Sequence, residues 1–345
     1  MDFRSDNVTG AHPKVIEALA AANQETVSSY GEDPISERVT RKLSEIFETD
    51  CAVFPVATGS AANALALATM TPPWGAVFCH EVSHIAVDEC GAPEFFTGGA
   101  KLIDLGGKGG KIEAAEIEAR GGAGKGVVHH VQPAAVSITQ ATEYGTVYRQ
   151  DEIAAIGAAC KRHGLRYHMD GARFANALAT LNRGPADLTW RAGIEALSFG
   201  ATKNGALGVE AVVLFDKRMA EEFAFRRKRA GHLFSKMRFL SAQLEAYLAG
   251  DLWLANARQA NAMAKRLAEG LARLPGSQLE HEVEANEIFV RLPEPAIAGL
   301  EREGFRFYRW DGAQLLRLVT AWNTQAQAVD AFLAAAKRLL AANAA

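Results

Sequence analysis

Between residues 52 and 215 the chain repeats one theme: a short apolar, β-prone run, a turn, then a helix pattern. Ala52-Val53-Phe54-Pro55-Val56 passes through Thr58-Gly59-Ser60 into an Ala-rich helix over 61–69. Ala76-Val77-Phe78-Cys79 reads as a strand, followed by a turn and a helix from about Ser83. Residues 127–131 and 134–138 are β-rich, 152–163 is a helix, and 165–169, 194–199 and 210–215 are further strands. Adjacent parallel strands need a crossover connection, usually a helix, so this alternation predicts a three-layer α/β unit with a mostly parallel sheet.

The flanks differ. A short N-terminal arm precedes helix patterns over 14–20 and 36–47, with a polar loop containing Ser29-Tyr30-Gly31-Glu32-Asp33-Pro34 between them. Beyond about Arg218 long helices take over, including one over 241–271. A smaller β-rich segment (286–291, 305–309, 315–319) and a closing helix over 326–341 follow. The chain's 345 residues are enough for a large unit over 1–245 and a small C-terminal α+β domain over 246–345.

A net charge of −3 gives no reason to expect nucleic acid or an anionic membrane as partner. No apolar stretch has the length of a membrane span. Cys51, Cys79, Cys90 and Cys160 lack metal-like or C-x-x-C spacing, and Met1-Asp2-Phe3-Arg4-Ser5-Asp6 is too polar for a secretory signal. A cytoplasmic location is expected. The basic run Arg226-Arg227-Lys228-Arg229 reads as a solvated helix face, with phosphate contact or a subunit interface as the other reading.

Two strand ends carry the chemistry. The strand 165–169 ends in Asp170-Gly171-Ala172-Arg173, and 194–199 leads through Gly200-Ala201-Thr202 to Lys203. Such an acid and lysine can hold pyridoxal phosphate, the lysine as a Schiff base and the acid against the pyridinium nitrogen. Thr58-Gly59-Ser60-Ala61 starts a helix, where free N–H groups favour a phosphate, although an ordinary N-cap explains the same residues. His80-Glu81-Val82-Ser83-His84 matches the zinc-hydrolase pattern H-E-x-x-H, but His80 falls in a turn and no third ligand is evident, so no metal is expected. His84 better suits stacking on a pyridine ring within reach of a substrate hydroxyl. Arg317, flanked by Leu315, Leu316, Leu318 and Val319, needs a carboxylate: a substrate's, or an internal one. Arg173 could bind phosphate or that carboxylate.

In order and spacing, Phe3-Arg4-Ser5-Asp6-Asn7-Val8-Thr9, Tyr30-Gly31-Glu32-Asp33-Pro34, Thr58-Gly59-Ser60-Ala61-Ala62-Asn63, Ser83-His84-Ile85, Asp170-Gly171-Ala172-Arg173, Ser198-Phe199-Gly200-Ala201-Thr202-Lys203 and Arg317-Leu318-Val319-Thr320 resemble the threonine aldolase family, among the aspartate aminotransferase-like (fold type I) enzymes. The resemblance implies cleavage of the Cα–Cβ bond of threonine, allo-threonine or phenylserine to glycine and an aldehyde. By it, Lys203, His84 and Asp170 are catalytic, and Gly59, Ser60, Ala61, Arg173, Thr202 and Arg238 also hold the cofactor. Ser5, Tyr30, Gln140, Arg173 and Arg317 serve the substrate. It implies a homotetramer with shared active sites, in which the segment around Arg229 and Arg238 serves a neighbour. By the resemblance, Gln140 stands where many members have a second histidine, which is similar to the low-specificity and phenylserine aldolase branch. Another fold type I lyase or an aminotransferase would share the cofactor residues.

Overall fold

Seven strands join into one sheet in the computed structural model, which describes residues 1–24, 26–310, 312 and 314–342. They are β1 (Ala52–Val56), β2 (Gly75–His80), β3 (Lys101–Leu105), β4 (Gln132–Thr139), β5 (Arg166–Gly171), β6 (Ala196–Gly200) and β7 (Glu210–Leu214). Their order is β1-β7-β6-β5-β4-β2-β3. Only β7 is reversed: it pairs antiparallel with β1 and β6, and the remaining pairs are parallel. Strands β2, β6 and β7 are buried along their whole length, as sheets with two covered faces require.

Each face has its own core. On one, the helix Gly59–Met70 is buried nearly all round, which its run of alanines and leucines permits, and it packs with Val212, Leu214 and Phe223. On the other, Leu43, Ile153, Phe174 and Leu244 from four helices meet Leu197, Phe199 and Val213. Alternate residues of β6 and β7 thus serve opposite cores, following the period of a strand.

A second, antiparallel sheet comprises β8 (Gln278–Leu279), β9 (Glu287–Arg291), β10 (Tyr308–Trp310) and β11 (Leu315–Val319), in the order β10-β11-β9-β8. Helices Leu252–Leu271, Glu294–Arg302 and Ala326–Ala342 cover it through Leu267, Leu300 and Phe332. The N-terminal arm ties the two sheets together. Phe3 is buried in the second core, with Val319 N–H donating to its carbonyl (2.8 Å), while His12 N–H donates to Gly205 O (2.8 Å) beside the first sheet. Position 245 falls inside the helix Arg238–Leu248.

Several expectations change. Residues 127–131 form turns rather than a strand, with Val128 96% exposed, because Gly124 and Gly126 adopt positive φ just before them. Strand β3 was not anticipated, since its Lys101 and Asp104 face solvent at the sheet edge and dilute the apolar signal. The helix expected over 241–271 is two helices, Arg238–Leu248 and Leu252–Leu271, because Gly250 (φ 55°) and Asp251 (φ 56°) turn left-handed between them. Within 305–309 only the end is strand, in β10. No helix among the described residues is long and apolar enough to cross a membrane.

Candidate active site

The carboxyl ends of the parallel strands form a cleft. In open α/β sheets, ligands bind at such edges. Gly59 follows β1, His84 follows β2, Thr139 ends β4, Asp170 lies near the end of β5 and Lys203 follows β6. With Asn63, Ala141, Glu143, Ala172 and Arg173 they line one cleft.

Glycine brings the two key turns together. A Cβ on Gly200 would stand 2.3 Å from Ala172 O, so the backbone after β6 can touch the Asp170 turn only as glycine. The Lys203 turn is then fixed from several sides. Glu210 Oε2 accepts from Ala201 N–H (2.6 Å), and Thr202 Oγ1 bonds both the N–H and the carbonyl of Val209 (3.1 Å each). Asn204 donates to Tyr247 Oη (2.7 Å) and Trp253 O (2.8 Å). Burial pushes the Glu210 carboxyl up to about 7. Within this scaffold the Lys203 amine is half-buried and has no hydrogen bond or ion pair among the described residues.

Asp170 is buried, receiving Ala172 N–H on Oδ1 (2.9 Å) and Asn63 Nδ2 on Oδ2 (2.8 Å). The same Asn63 nitrogen donates to Glu89 Oε1 (2.8 Å), which also pairs with His84 Nδ1 (2.8 Å). Burial pushes Glu89 up, while the bond to Glu89 pushes His84 up. With two donors on one oxygen, we take the proton to sit on the imidazole. His84 N–H is held by Glu143 Oε1 (2.8 Å), which Thr139 Oγ1 also reaches (2.8 Å). At the start of the helix Gly59–Met70, Thr58 Oγ1 caps Ala61 N–H (3.2 Å), leaving the amides of Gly59 and Ser60 without partners among the described residues.

Arg173 is buried between carboxylates: Asp6 (2.8 Å) and Glu287 (3.0 Å), the latter also holding Arg317 (2.5 Å). Burial alone would raise Asp6, but Arg173 outweighs it and holds the carboxyl below its usual range. Arg317 thus has an internal carboxylate partner and stands behind Arg173 rather than on the cleft wall. Ser5 is next to this cluster, its hydroxyl accepting from Asn7 N–H (3.1 Å).

Lys203, Asp170, His84, Gly59 and Arg173 meet in the cleft, whereas Ser5, Tyr30, Ser60, Ala61, Gln140, Thr202, Arg238 and Arg317 are not among the residues lining it. Gln140, expected to orient a hydroxyl, is fully buried, its amide closed on the N–H (3.0 Å) and carbonyl (2.9 Å) of Tyr148. Thr202 spends its hydroxyl on Val209. Tyr30 lines another hollow with Arg227, and Arg238 donates to Ala22 O (3.2 Å), both away from this chain's cleft. The H-E-x-x-H reading fails on geometry. His80 ends β2, with Val82 N–H donating to Nδ1 (3.2 Å) and Nε2 facing Gly107 O (3.0 Å), while His84 opens the next helix. Asn63, Glu89, Glu143, Glu210 and Asp6 were missed, although Asn63 and Asp6 lie in segments the sequence had singled out. A larger hollow of about 970 Å³ lies elsewhere, with the ion pairs Lys111–Glu152 and Arg149–Glu284 on its wall.

A lone amine, a buried carboxylate, two free amides at a helix start and an imidazole fit a pyridoxal phosphate site on a fold type I sheet. The chain belongs to the beta-eliminating lyase family, whose model matches residues 2–294, and is a pyridoxal-phosphate-dependent lyase. Within it, the chain falls among the threonine aldolases. It is 45% identical to the low specificity L-threonine aldolase of a Pseudomonas species, over 94% of this chain and 93% of that one. The Pseudomonas aeruginosa enzyme of the same name is also 45% identical, covering 95% and 94%. A solved Leishmania major threonine aldolase superposes with a TM-score of 0.92 at 30% identity, over 98% and 99% of the two chains.

Proposed function

We propose that this lyase cleaves the Cα–Cβ bond of L-β-hydroxy-α-amino acids such as threonine, allo-threonine or phenylserine, giving glycine and an aldehyde. The observation that carries the reading is that the Lys203 amine, without hydrogen bond or ion pair among the described residues, lines one cleft with the buried Asp170 carboxylate. The names of the Pseudomonas relatives support the substrate class. Lys203 is the residue to hold pyridoxal phosphate, with Asp170 at its ring nitrogen, His84 against its ring, and the Gly59 and Ser60 amides at its phosphate. When bound, the cofactor supplies an electron sink conjugated to the substrate amine.

The protein's own groups do the rest. Arg173 offers the cleft's guanidinium to the substrate carboxylate, and Glu287 with Arg317 behind it fixes its position. Asn63 holds Asp170 and Glu89 together, so Asp170 and the His84 that Glu89 holds are positioned through one amide. Docking of the carboxylate on Arg173 would set the orientation of the substrate's Cα bonds, and that orientation would separate C–C cleavage from racemisation or transamination.

A homotetrameric assembly in the cytoplasm completes the reading. Tyr30 and Arg238, remote from their own chain's cleft, are then available to a neighbour. The four cysteines are free, as a reducing compartment would leave them. Product analysis tests the proposal: cofactor-loaded protein given L-threonine, L-allo-threonine or L-phenylserine should yield glycine and the matching aldehyde in equal amounts. Ammonia and a keto acid in their place would make it an eliminating lyase.

A further inference from the structure

The loop after β4 carries a carboxyl group that the mechanism above does not use. Glu143 is half-buried as a residue, yet its Oε2 is shielded from solvent and has no hydrogen-bond partner among the described residues. The other oxygen already does the structural work, accepting from His84 N–H and Thr139 Oγ1 (2.8 Å each). A residue needed only to anchor the His84 turn would not require the second oxygen, and leaving a buried acceptor unpaired is costly. That oxygen belongs to a side chain lining the cleft with Lys203, Asp170, His84 and Arg173.

We propose that Glu143 is a catalytic residue: its Oε2 takes the proton of the substrate's β-hydroxyl as the Cα–Cβ bond breaks. The inference rests on the aldolase reading above. The O–H pair becomes the second bond of the aldehyde carbonyl, and the Cα–Cβ pair stays with Cα. The proton on Glu143 is then available for Cα, so glycine and aldehyde form with no net proton exchange and no co-reactant. His84 is the less suitable acceptor, because its Nδ1 is engaged by Glu89 and that bond raises its hold on a proton. Gln140 is closed on Tyr148 and cannot reach the cleft.

The charges around Glu143 suit a group that both takes and returns a proton. Burial pushes its carboxyl up to about 7, and Asp170 across the cleft pushes the same way. The bonds from His84 N–H and Thr139 oppose them. Arg173 and Lys203 line the same cleft from the turns after β5 and β6, and Glu89 bonds His84. A general base works best with its pKa near the operating pH.

The test uses the cofactor-loaded protein and Glu143→Gln, whose amide oxygen can still accept from His84 and Thr139. In the wild type, kcat for cleavage of L-threonine should fall on the acid side with a midpoint near 7. In E143Q it should drop by about 10²-fold or more and lose that limb. The dissociation constant for glycine, which has no hydroxyl, should stay within about twofold, read from the cofactor's absorbance. A second readout needs no cofactor. Infrared difference spectra of the cofactor-free wild type between about pH 5.5 and about pH 8.5 should contain a protonated-carboxyl band that E143Q lacks. Wild-type kcat and an unchanged acid limb in E143Q overturn the proposal. A wild type making no glycine and aldehyde sinks the aldolase reading instead, while the infrared band still reports on Glu143. Should E143Q not fold, Thr139→Val removes a bond that favours the ionised form, so the acid limb should move upward; an unmoved limb overturns the proposal.

Discussion

Asn63 donates from one amide nitrogen to two carboxylates, Asp170 and Glu89, and is itself only 2% exposed. Asn63→Leu would strip a bond from each and should lower stability by about 2 kcal/mol or more, measured by denaturant unfolding. It should also weaken pyridoxal phosphate binding, measured by cofactor titration, through loss of Asp170's positioning. Glu143 affects stability in the opposite sense to a salt-bridged acid. Its pKa rises from 4.5 to about 7 on folding, so its contribution is full below about 4.5 and lost as pH rises through 7. Glu143→Gln does not titrate, so between about pH 5 and about pH 8.5 it should gain about 3 kcal/mol relative to wild type in cofactor-free unfolding. Lys203, Asp170 and His84 were legible because each follows an apolar run, where a polar side chain needs a reason. Glu143 was not, because its partner His84 lies 59 positions away and meets it only once β2 and β4 lie side by side. Glu89 was not, because its bond to Asn63, 26 positions away, needs the helix Gly59–Met70 to pack beside the turn after β2. Gln140 is placed away from the cleft, and nothing in its own segment reveals that Tyr148 will occupy its amide.

The elements that matter most are the two turns after β5 and β6. Gly200→Ala would put a methyl 2.3 Å from Ala172 O, a backbone atom that cannot rotate away. The substitution should cost about 3 kcal/mol or more and displace Lys203 from Asp170, lowering both the melting temperature and cofactor affinity. Melting at the wild-type temperature with full cofactor uptake would contradict the close approach. Strands with buried faces were easy to read, since β2, β6 and β7 are mostly apolar runs. Edge and turn elements were harder. Strand β3 is interrupted by Lys101 and Asp104, and the segment 127–131 has strand-like residues that the preceding glycines fold into turns. The helix break at Gly250 and Asp251 is marked by one glycine, which a long amphipathic pattern readily hides.

Across the whole molecule, the N-terminal arm, the large sheet and the small sheet meet at Arg173, which pairs with Asp6 and with Glu287 of β9. Asp6→Asn should destabilise the protein at pH 7 by about 3 kcal/mol, because it removes one partner of a buried pair. Asp6 has a lowered pKa, so its contribution is full above the unfolded value of 3.8 and lost as pH falls through the lower folded value. The gap between D6N and wild type should therefore close in acid. The family could be recognised from ordered motifs along the chain, but not this convergence, which depends on the second sheet docking beside the first. Everything functional rests on Lys203 being the cofactor's anchor. Borohydride reduction of the pyridoxal-phosphate-loaded protein, followed by peptide mass mapping, tests this directly. The expected result is one stoichiometric adduct on the peptide containing Lys203, absent from Lys203→Ala; an adduct on another lysine, or none, would contradict the assignment.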